Sequence, residues 1–136
     1  MENQAAKTAR SPMIQVALEQ LVPAGKRVVH DPVAYQLLPP AFKGLVSLCR
    51  VDPLRRALLG LVDRQMPGIH GGILCRKRFL QDNLLAALEA GIRSVVILGA
   101  GFDTLAHRLP ELGVGRVYEV DLPPIIQSKQ VDLQRA

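Results

Sequence analysis

The stretch that decides the fold runs from Ser94 to Pro123 and reads SVVILGAGFDTLAHRLPELGVGRVYEVDLP. It opens with an apolar run, 95–98, which leads into the glycine turn Gly99-Ala100-Gly101. A short helical segment follows, and then a second strand-like run, 116–120. A strand, a glycine turn, a helix and a second strand make up the first β-α-β unit of a nucleotide-type site. The stretch therefore predicts two parallel strands, and the apolar character of the first favours helices on both of its sides.

The residues before this stretch are predicted to be mostly helical. Ser11-Pro12 is expected to cap and begin the first helix, and Asp52-Pro53 to begin a later one. Gly91 stands where a glycine would end the last. The other expected elements are a short helix from Tyr35 stopped by Pro39-Pro40, one or two helices over 45–61, a loop that includes Pro67-Gly68 and Gly71-Gly72, and a helix over 74–90. Leucines expected to face inward are Leu54, Leu58, Leu59 and Leu61 in the middle segment and Leu80, Leu84, Leu85 and Leu88 in the last.

The predicted fold class is α/β, with a helical cap region over residues 1–92 and the start of a Rossmann-like domain over 93–136. After the second strand, Asp121 is expected to cap a final helix that has proline in its first turn. A doubly wound sheet needs about five or more strands, whereas two are visible here. We therefore expect the domain to be incomplete.

The composition is typical of a globular protein. Of the 136 residues, 49% are hydrophobic and 21% are charged, which argues against disorder. No apolar run approaches the roughly 18 residues that a membrane helix requires, so no membrane partner is expected. The opening residues MENQAAKTAR lack an apolar export segment, and the expected compartment is the cytoplasm.

Charge, cysteines and histidines narrow the possible partners further. The net charge of +5 is concentrated in the first 78 residues, but the chain has no Trp and only 4% aromatic residues for stacking on bases. No nucleic-acid partner is therefore expected. Cys49 and Cys75 lack a metal or redox spacing and are expected to be reduced, mostly buried thiols. His30 and His107 have no companions at metal-ligand spacing, and no metal is expected.

The glycine turn and the acids that follow it suggest a cofactor site. Gly99 and Gly101 allow the backbone to approach a ligand that a side chain would keep away. Asp121 lies 20 residues after Gly101, at the end of the second strand, where an acid can accept hydrogen bonds from both ribose hydroxyls. Glu119 is two residues earlier and is expected on the same side of the strand.

The residues after the turn select among cofactors. A dinucleotide fingerprint has a third glycine at position 104, where this chain has Thr, and Asp103 would place a negative charge near a pyrophosphate. NAD is therefore disfavoured, although an NAD-dependent oxidoreductase remains an alternative. S-adenosylmethionine has a ribose but no phosphate, and its ammonium group is compatible with Asp103. A second alternative is an ordinary turn in which Asp103 or Thr104 only caps the next helix.

The segments LGAGFDT, HRLP and YEVDLPPIIQSKQ resemble the leucine carboxyl methyltransferase family of S-adenosylmethionine-dependent O-methyltransferases. Upstream, the segment HDPVA at 30–34 resembles the family's DPxA segment. The segment CRKRFLQD at 75–82 is similar to the family's Arg-Thr-Arg-aromatic-x-Asp-Asp helix. The resemblance extends over about residues 8–132 and implies a class I methyltransferase sheet.

The resemblance also implies roles for individual residues. Gly99 and Gly101 would line S-adenosylmethionine, Asp121 would hold its ribose hydroxyls, and Arg76 would pair with its carboxylate. Three positions depart from the family pattern, namely Lys77 for Thr, Gln81 for the first Asp and Leu105 where Arg is common. The implied reaction is methyl transfer to a carboxylate or hydroxyl of a small molecule or a protein C-terminus. Because no later strand is present, no catalytic residue is assigned, and a truncated, non-catalytic binding protein is a further alternative.

Overall fold

The computed structural model describes residues 4–108 and 116–135, with side chains from Arg10 onward. Helices and strands alternate only in the second part of the chain, after a helical first part. The helices are α1 (Gln4–Glu19), α2 (Pro40–Leu48), α3 (Asp52–Gln65), α4 (Ile69–Glu89), α5 (Leu105–Arg108) and α6 (Pro123–Gln134). The strands are β1 (Ser94–Leu98) and β2 (Arg116–Val120). The order β1-α5-β2-α6 confirms the predicted mixed α/β fold.

The two strands pair in parallel, as predicted. Val96 lies opposite Tyr118 and Leu98 opposite Val120, so these four side chains share one face. That face is open, because their exposed fractions range from 50% to 77%. The expectation of helices on both sides of β1 is therefore wrong for the part of the chain that the structure describes. Only the opposite face of the sheet is partly covered.

Several prolines and glycines lie elsewhere in their helices than predicted. α1 begins at Gln4 and includes Pro12, so Ser11 does not cap it. Residues 35–38 form turns, and Pro40 begins α2 instead of ending a helix, since proline at the first position lacks only an N–H that has no helical acceptor. Gly71 and Gly72 lie inside α4, which begins directly after Gly68. Pro40 thus follows the preference of proline for the start of a helix, whereas Pro12, Gly71 and Gly72 lie inside helices against their local preferences.

Other predicted boundaries are confirmed. Two helices span the 45–61 region, and Asp52-Pro53 begins the second. Gly91 follows α4 with a φ of +98°, a conformation that favours glycine. The cap of α6 is not Asp121, because the capping position is Leu122 and the Asp121 carboxylate bonds elsewhere.

The leucine and cysteine expectations are only partly right. Leu58 and Leu59 pack against the core, but Leu54, Leu61 and Leu80 are about half exposed. Leu88 is buried in the last turn of α4. Both cysteines are free thiols, with Cys49 buried and Cys75 exposed. A stripe of leucines along one side of a helix is buried only where another element packs against it.

One buried cluster joins the helical segment to the β-α-β segment. It contains Met13 and Leu18 of α1, Val46 of α2, Phe102 of the glycine turn and Ile125 of α6. Phe102 thus anchors the turn in a core that it shares with α1, α2 and α6. This core contains residues from both sides of residue 92. The division into two regions at that residue stays a prediction. No helix within the described ranges is both long and apolar enough to span a bilayer.

Candidate cofactor site

A cavity of about 460 Å³ opens at the carboxyl end of β1. This volume falls in the range of roughly 300–1,000 Å³ that is usual for small-molecule sites. Four of the five residues predicted as cofactor contacts line it, namely Arg76, Gly99, Gly101 and Asp121. Its wall also includes residues of α1, of α4 and of the turn itself. The fold thus brings residues as far apart as Pro12 and Asp121, which are separated by 109 positions, around one volume.

The glycine turn adopts a conformation that depends on glycine. Gly99 has a φ of +62° and Gly101 a φ of +52°, both in the left-handed region that other residues rarely adopt. The N–H of Gly99 donates to the carbonyl of Val120 at 2.8 Å, which ties the turn to the end of β2. No atom lies within 4 Å of a Cβ built on Gly99, so the space beside it is open. The turn therefore presents backbone, not side chains, at this side of the cavity.

Asp121 is held in a fixed orientation at the cavity. Its Oδ2 accepts the Gly101 N–H at 2.6 Å and its Oδ1 accepts the Leu122 N–H at 2.7 Å. A carboxylate has about four acceptor sites, so both oxygens retain capacity for further donors. The arrangement is suited to the two hydroxyls of a ribose.

Glu119 does not line the cavity. Its Oε1 accepts from Lys129 of α6, which is 1% exposed and also donates to the carbonyl of Asp103. The Glu119 carboxylate thus compensates a buried ammonium group beneath the turn. The structure places this residue in the support of the turn, apart from the cavity lining.

Asp103 lies at the start of α5 and lines the cavity. Its Oδ1 accepts the Leu105 N–H at 2.7 Å and so caps the first N–H of this short helix. Its Oδ2 accepts from Lys77 Nζ at 2.7 Å. Burial raises the pKa of Asp103, but Lys77, the capping hydrogen bond and Arg108 outweigh it and lower the pKa below its ordinary value. Asp103 is therefore a paired carboxylate at neutral pH.

Asp31, in the DPVA segment, is a buried acceptor that the sequence did not single out as a site residue. It is fully buried and accepts from the Thr104 hydroxyl and from the Ala34 N–H. Lys77 Nζ lies 3.5 Å from Oδ2 and Arg108 Nε lies 3.7 Å from Oδ1. Thr104, where a dinucleotide fingerprint has glycine, is thus used to anchor the turn. The signal in the sequence that could have indicated this role is the charge of Asp31 inside the otherwise apolar DPVA segment.

Arg10 of α1 supports the turn from the other side. Its guanidinium lies 4.1 Å from the centroid of the Phe102 ring and donates to Asp132 and Ser128 of α6. Phe102 is 1% exposed and sits between the two cavity-lining residues Gly101 and Asp103. Nothing in the local sequence around Arg10 predicted this contact, because its partners are more than 90 residues away.

Comparison with known proteins identifies the family of this chain. The family model for leucine carboxyl methyltransferases matches residues 9–136. The chain belongs to the leucine carboxyl methyltransferase family. The match includes the DPVA segment, the Arg76 segment, the glycine turn and the EVD segment, and so confirms the resemblance on which the sequence analysis relied.

Individual relatives of this methyltransferase family member are bacterial proteins whose names describe them as candidate S-adenosyl-L-methionine-dependent methyltransferases. One from Parafrankia sp. (strain EAN1pec) is 38% identical over 109 residues, which are 79% of this chain and 34% of the relative. Others from Mycolicibacterium gilvum and Mycobacteroides abscessus are 33% and 34% identical over 87% and 90% of this chain, and 41% and 40% of their own lengths. The chain thus spans about a third to two fifths of the length of these three relatives.

Proposed function

We propose that this chain forms the cofactor-binding part of an S-adenosylmethionine-dependent methyltransferase. The observation that carries the proposal is that Arg76, the glycine turn and Asp121 line the same cavity. These three elements supply a cation, open backbone and an oriented carboxylate. They match a ligand with a carboxylate, a ribose and no phosphate.

Each element has a separate task in this proposal. Asp121 accepts hydrogen bonds from the ribose hydroxyls, because its oxygens are already oriented by two backbone N–H groups. The left-handed turn at Gly99 and Gly101 lets the ligand contact backbone. Arg76 pairs with the carboxylate through its planar fork of donors. When bound, the cofactor supplies an electrophilic methyl group, and these residues bind and orient it.

Glu119 is left out of this contact set. Its carboxylate is bound to the buried Lys129, and its part in the proposal is to support the turn through the Asp103 carbonyl. The cofactor contacts proposed for this chain are therefore Arg76, Gly99, Gly101 and Asp121.

A dinucleotide-dependent oxidoreductase is not favoured. Thr104 stands in place of the third glycine and is buried against Asp31, so it packs where the fingerprint requires close approach of helix and strand. The names of the relatives likewise favour a methyltransferase over both this alternative and a non-catalytic binding protein.

We further propose that the methyl acceptor is an oxygen atom, of a carboxylate or a hydroxyl, on a small molecule or a protein C-terminus. The support is the family description, leucine carboxyl methyltransferase. Such a transfer depends mainly on holding acceptor and methyl group in near-attack geometry. In this proposal the described residues hold the carboxylate and the ribose of the cofactor.

Isothermal titration of the chain with S-adenosylmethionine, S-adenosylhomocysteine and NAD tests the proposal. We expect both adenosyl ligands to bind and NAD not to. Arg76→Ala should weaken binding, whereas Arg78→Ala is the matched control, because Arg78 is paired with Asp82 on the exposed surface of α4. Binding of NAD alone, or equal effects of the two arginine variants, would contradict the proposal.

A further inference from the structure

Lys77 and Asp103 form an ion pair in the wall of the cavity. Lys77 Nζ lies 2.7 Å from Asp103 Oδ2, and both residues line the cavity beside Arg76. The side chains of the pair are 14% and 31% exposed, so solvent screens their charges only in part. From the sequence, Asp103 is compatible with the ammonium group of S-adenosylmethionine. In the structure Lys77 already occupies that acceptor.

Lys77 is held in this position by a second carboxylate. Asp31 Oδ2 lies 3.5 Å from Lys77 Nζ, and Asp31 is fully buried and fixed by Thr104 and by the Ala34 N–H. Turning Lys77 away would remove an ammonium group from both acids at once, and leaving buried charges unpaired is costly. Lys77 is therefore a fixed part of the cavity wall.

The pair determines the charge at this end of the cavity. With Lys77 present, Arg76, Lys77 and Asp103 together carry one net positive charge, which attracts an anionic end group. Without Lys77 the same wall is neutral, and Asp103 becomes an open acceptor for a cation. Removing the Asp103 charge instead would leave two cations and strengthen the preference for an anion.

We propose that Lys77 is a specificity-determining residue, which neutralises Asp103 so that the cavity selects a cofactor end group that carries a carboxylate over one that carries only an ammonium group. The inference rests on the proposed function, because it assumes that an adenosyl ligand occupies the cavity. It assigns a task to a position at which this chain departs from the family pattern.

Titration with three ligands tests whether Lys77 makes the cavity select the carboxylate of the cofactor. S-adenosylmethionine has both the carboxylate and the ammonium group, its decarboxylated form has only the ammonium group, and 5′-methylthioadenosine has neither. We expect the wild-type chain to bind S-adenosylmethionine about tenfold or more tightly than the decarboxylated form, since one charge at contact distance is worth this much in a partly buried site. Lys77→Met should bring that ratio close to one, and Lys77→Arg should preserve it.

Asp103→Asn provides the opposite change. Asn is as good a helix cap as Asp, so α5 should remain capped while Lys77, still held by Asp31, loses the partner that offsets its charge in the cavity wall. We expect the preference for S-adenosylmethionine over its decarboxylated form to increase about tenfold. This variant also keeps the inference testable if Lys77→Met fails to fold, which thermal unfolding followed by circular dichroism would show.

The affinity for 5′-methylthioadenosine distinguishes the two proposals. It should be nearly the same in all variants, because this ligand lacks the end group that Lys77 discriminates. If the adenosyl ligands bind but neither Lys77→Met nor Asp103→Asn changes the ratio, the inference is wrong and the proposed function stands. If none of the three ligands binds the wild-type chain, both are wrong.

Discussion

The carboxylate of Asp121 accepts the backbone N–H of Gly101 at 2.6 Å and so joins the end of β2 to the glycine turn after β1. The second oxygen accepts the Leu122 N–H at 2.7 Å. One acid thus fixes the left-handed turn and is itself oriented by it. Asp121, which the sequence pattern assigns to ligand binding, therefore also connects the ends of the two parallel strands.

We expect Asp121→Ala to weaken S-adenosylmethionine binding more than tenfold, because both the ligand acceptor and the bond to Gly101 are lost. Isothermal titration measures the effect. Asp82→Ala serves as the matched control, since Asp82 is half exposed and pairs only with Arg78 within α4. An unchanged affinity in Asp121→Ala would refute the ribose role.

We expect Asp31→Ala to lower the free energy of unfolding by about 3–5 kcal/mol, as is typical when one partner of a buried charge network is removed. Asp31 is fully buried, and its loss would leave Thr104, Lys77 and Arg108 without a common partner. Urea unfolding measures the change. The Asp52 carboxylate is 64% exposed beside Arg55. Asp52→Ala should therefore lower the free energy of unfolding by less than about 1 kcal/mol. Equal costs would show that Asp31 is not the anchor of the turn.

The sequence predicted the β-α-β unit well because its signals are local. An apolar run, a glycine turn and a second apolar run specify the parallel pairing, and β2 has the predicted bounds, Arg116–Val120. Gly91 ends α4 for an equally local reason, its positive φ. Most of the C-terminal part of the prediction is confirmed for this reason. The segment 109–115 lies outside the described residues.

The errors arose where distant contacts decide the outcome. Pro12 lies inside α1, whose residues Met13, Ala17 and Leu18 belong to one buried cluster with Val46 of α2 and Phe102 of the glycine turn. The pairing of Lys77 with Asp31 and Asp103 joins three segments that are more than 20 residues apart. Spacing within a segment cannot indicate such contacts. Four residues of the cavity lining could be predicted, whereas the rest of the lining and the support behind it could not.

The two faces of the sheet should respond differently to the same substitution. Val95 and Val96 are neighbours in β1, but Val95 lies on the partly covered face and Val96 is 58% exposed. We expect Val95→Ala to cost about 1–2 kcal/mol of unfolding free energy and Val96→Ala less than about 0.5 kcal/mol. Urea unfolding of both variants checks this. A cost for Val96→Ala as large as that for Val95→Ala would mean that the open face is covered in solution.

Stability should fall as the pH is lowered below the ordinary pKa of histidine, partly because of His70. The ring is half-buried at the start of α4, and its Nδ1 lies 2.7 Å from Gln15 Oε1, where it must donate because the amide oxygen only accepts. Burial lowers the pKa of His70 below 6.5, and Glu19 offsets this only in part. Between the folded-state pKa and 6.5, the unfolded chain therefore binds the proton and the folded chain does not.

This difference in proton binding makes the free energy of unfolding rise with pH up to about 6.5 and then level off with respect to His70. Urea unfolding at steps between about pH 5 and about pH 8 should show a shallower slope for His70→Gln than for the wild type, since glutamine does not titrate. His107, whose pKa is lowered by burial and by Lys129 against the opposing effect of Glu119, should contribute in the same direction. His107→Gln combined with His70→Gln should therefore flatten the slope further. Identical slopes in wild type and His70→Gln would show that the ring is free to take up a proton in the folded chain.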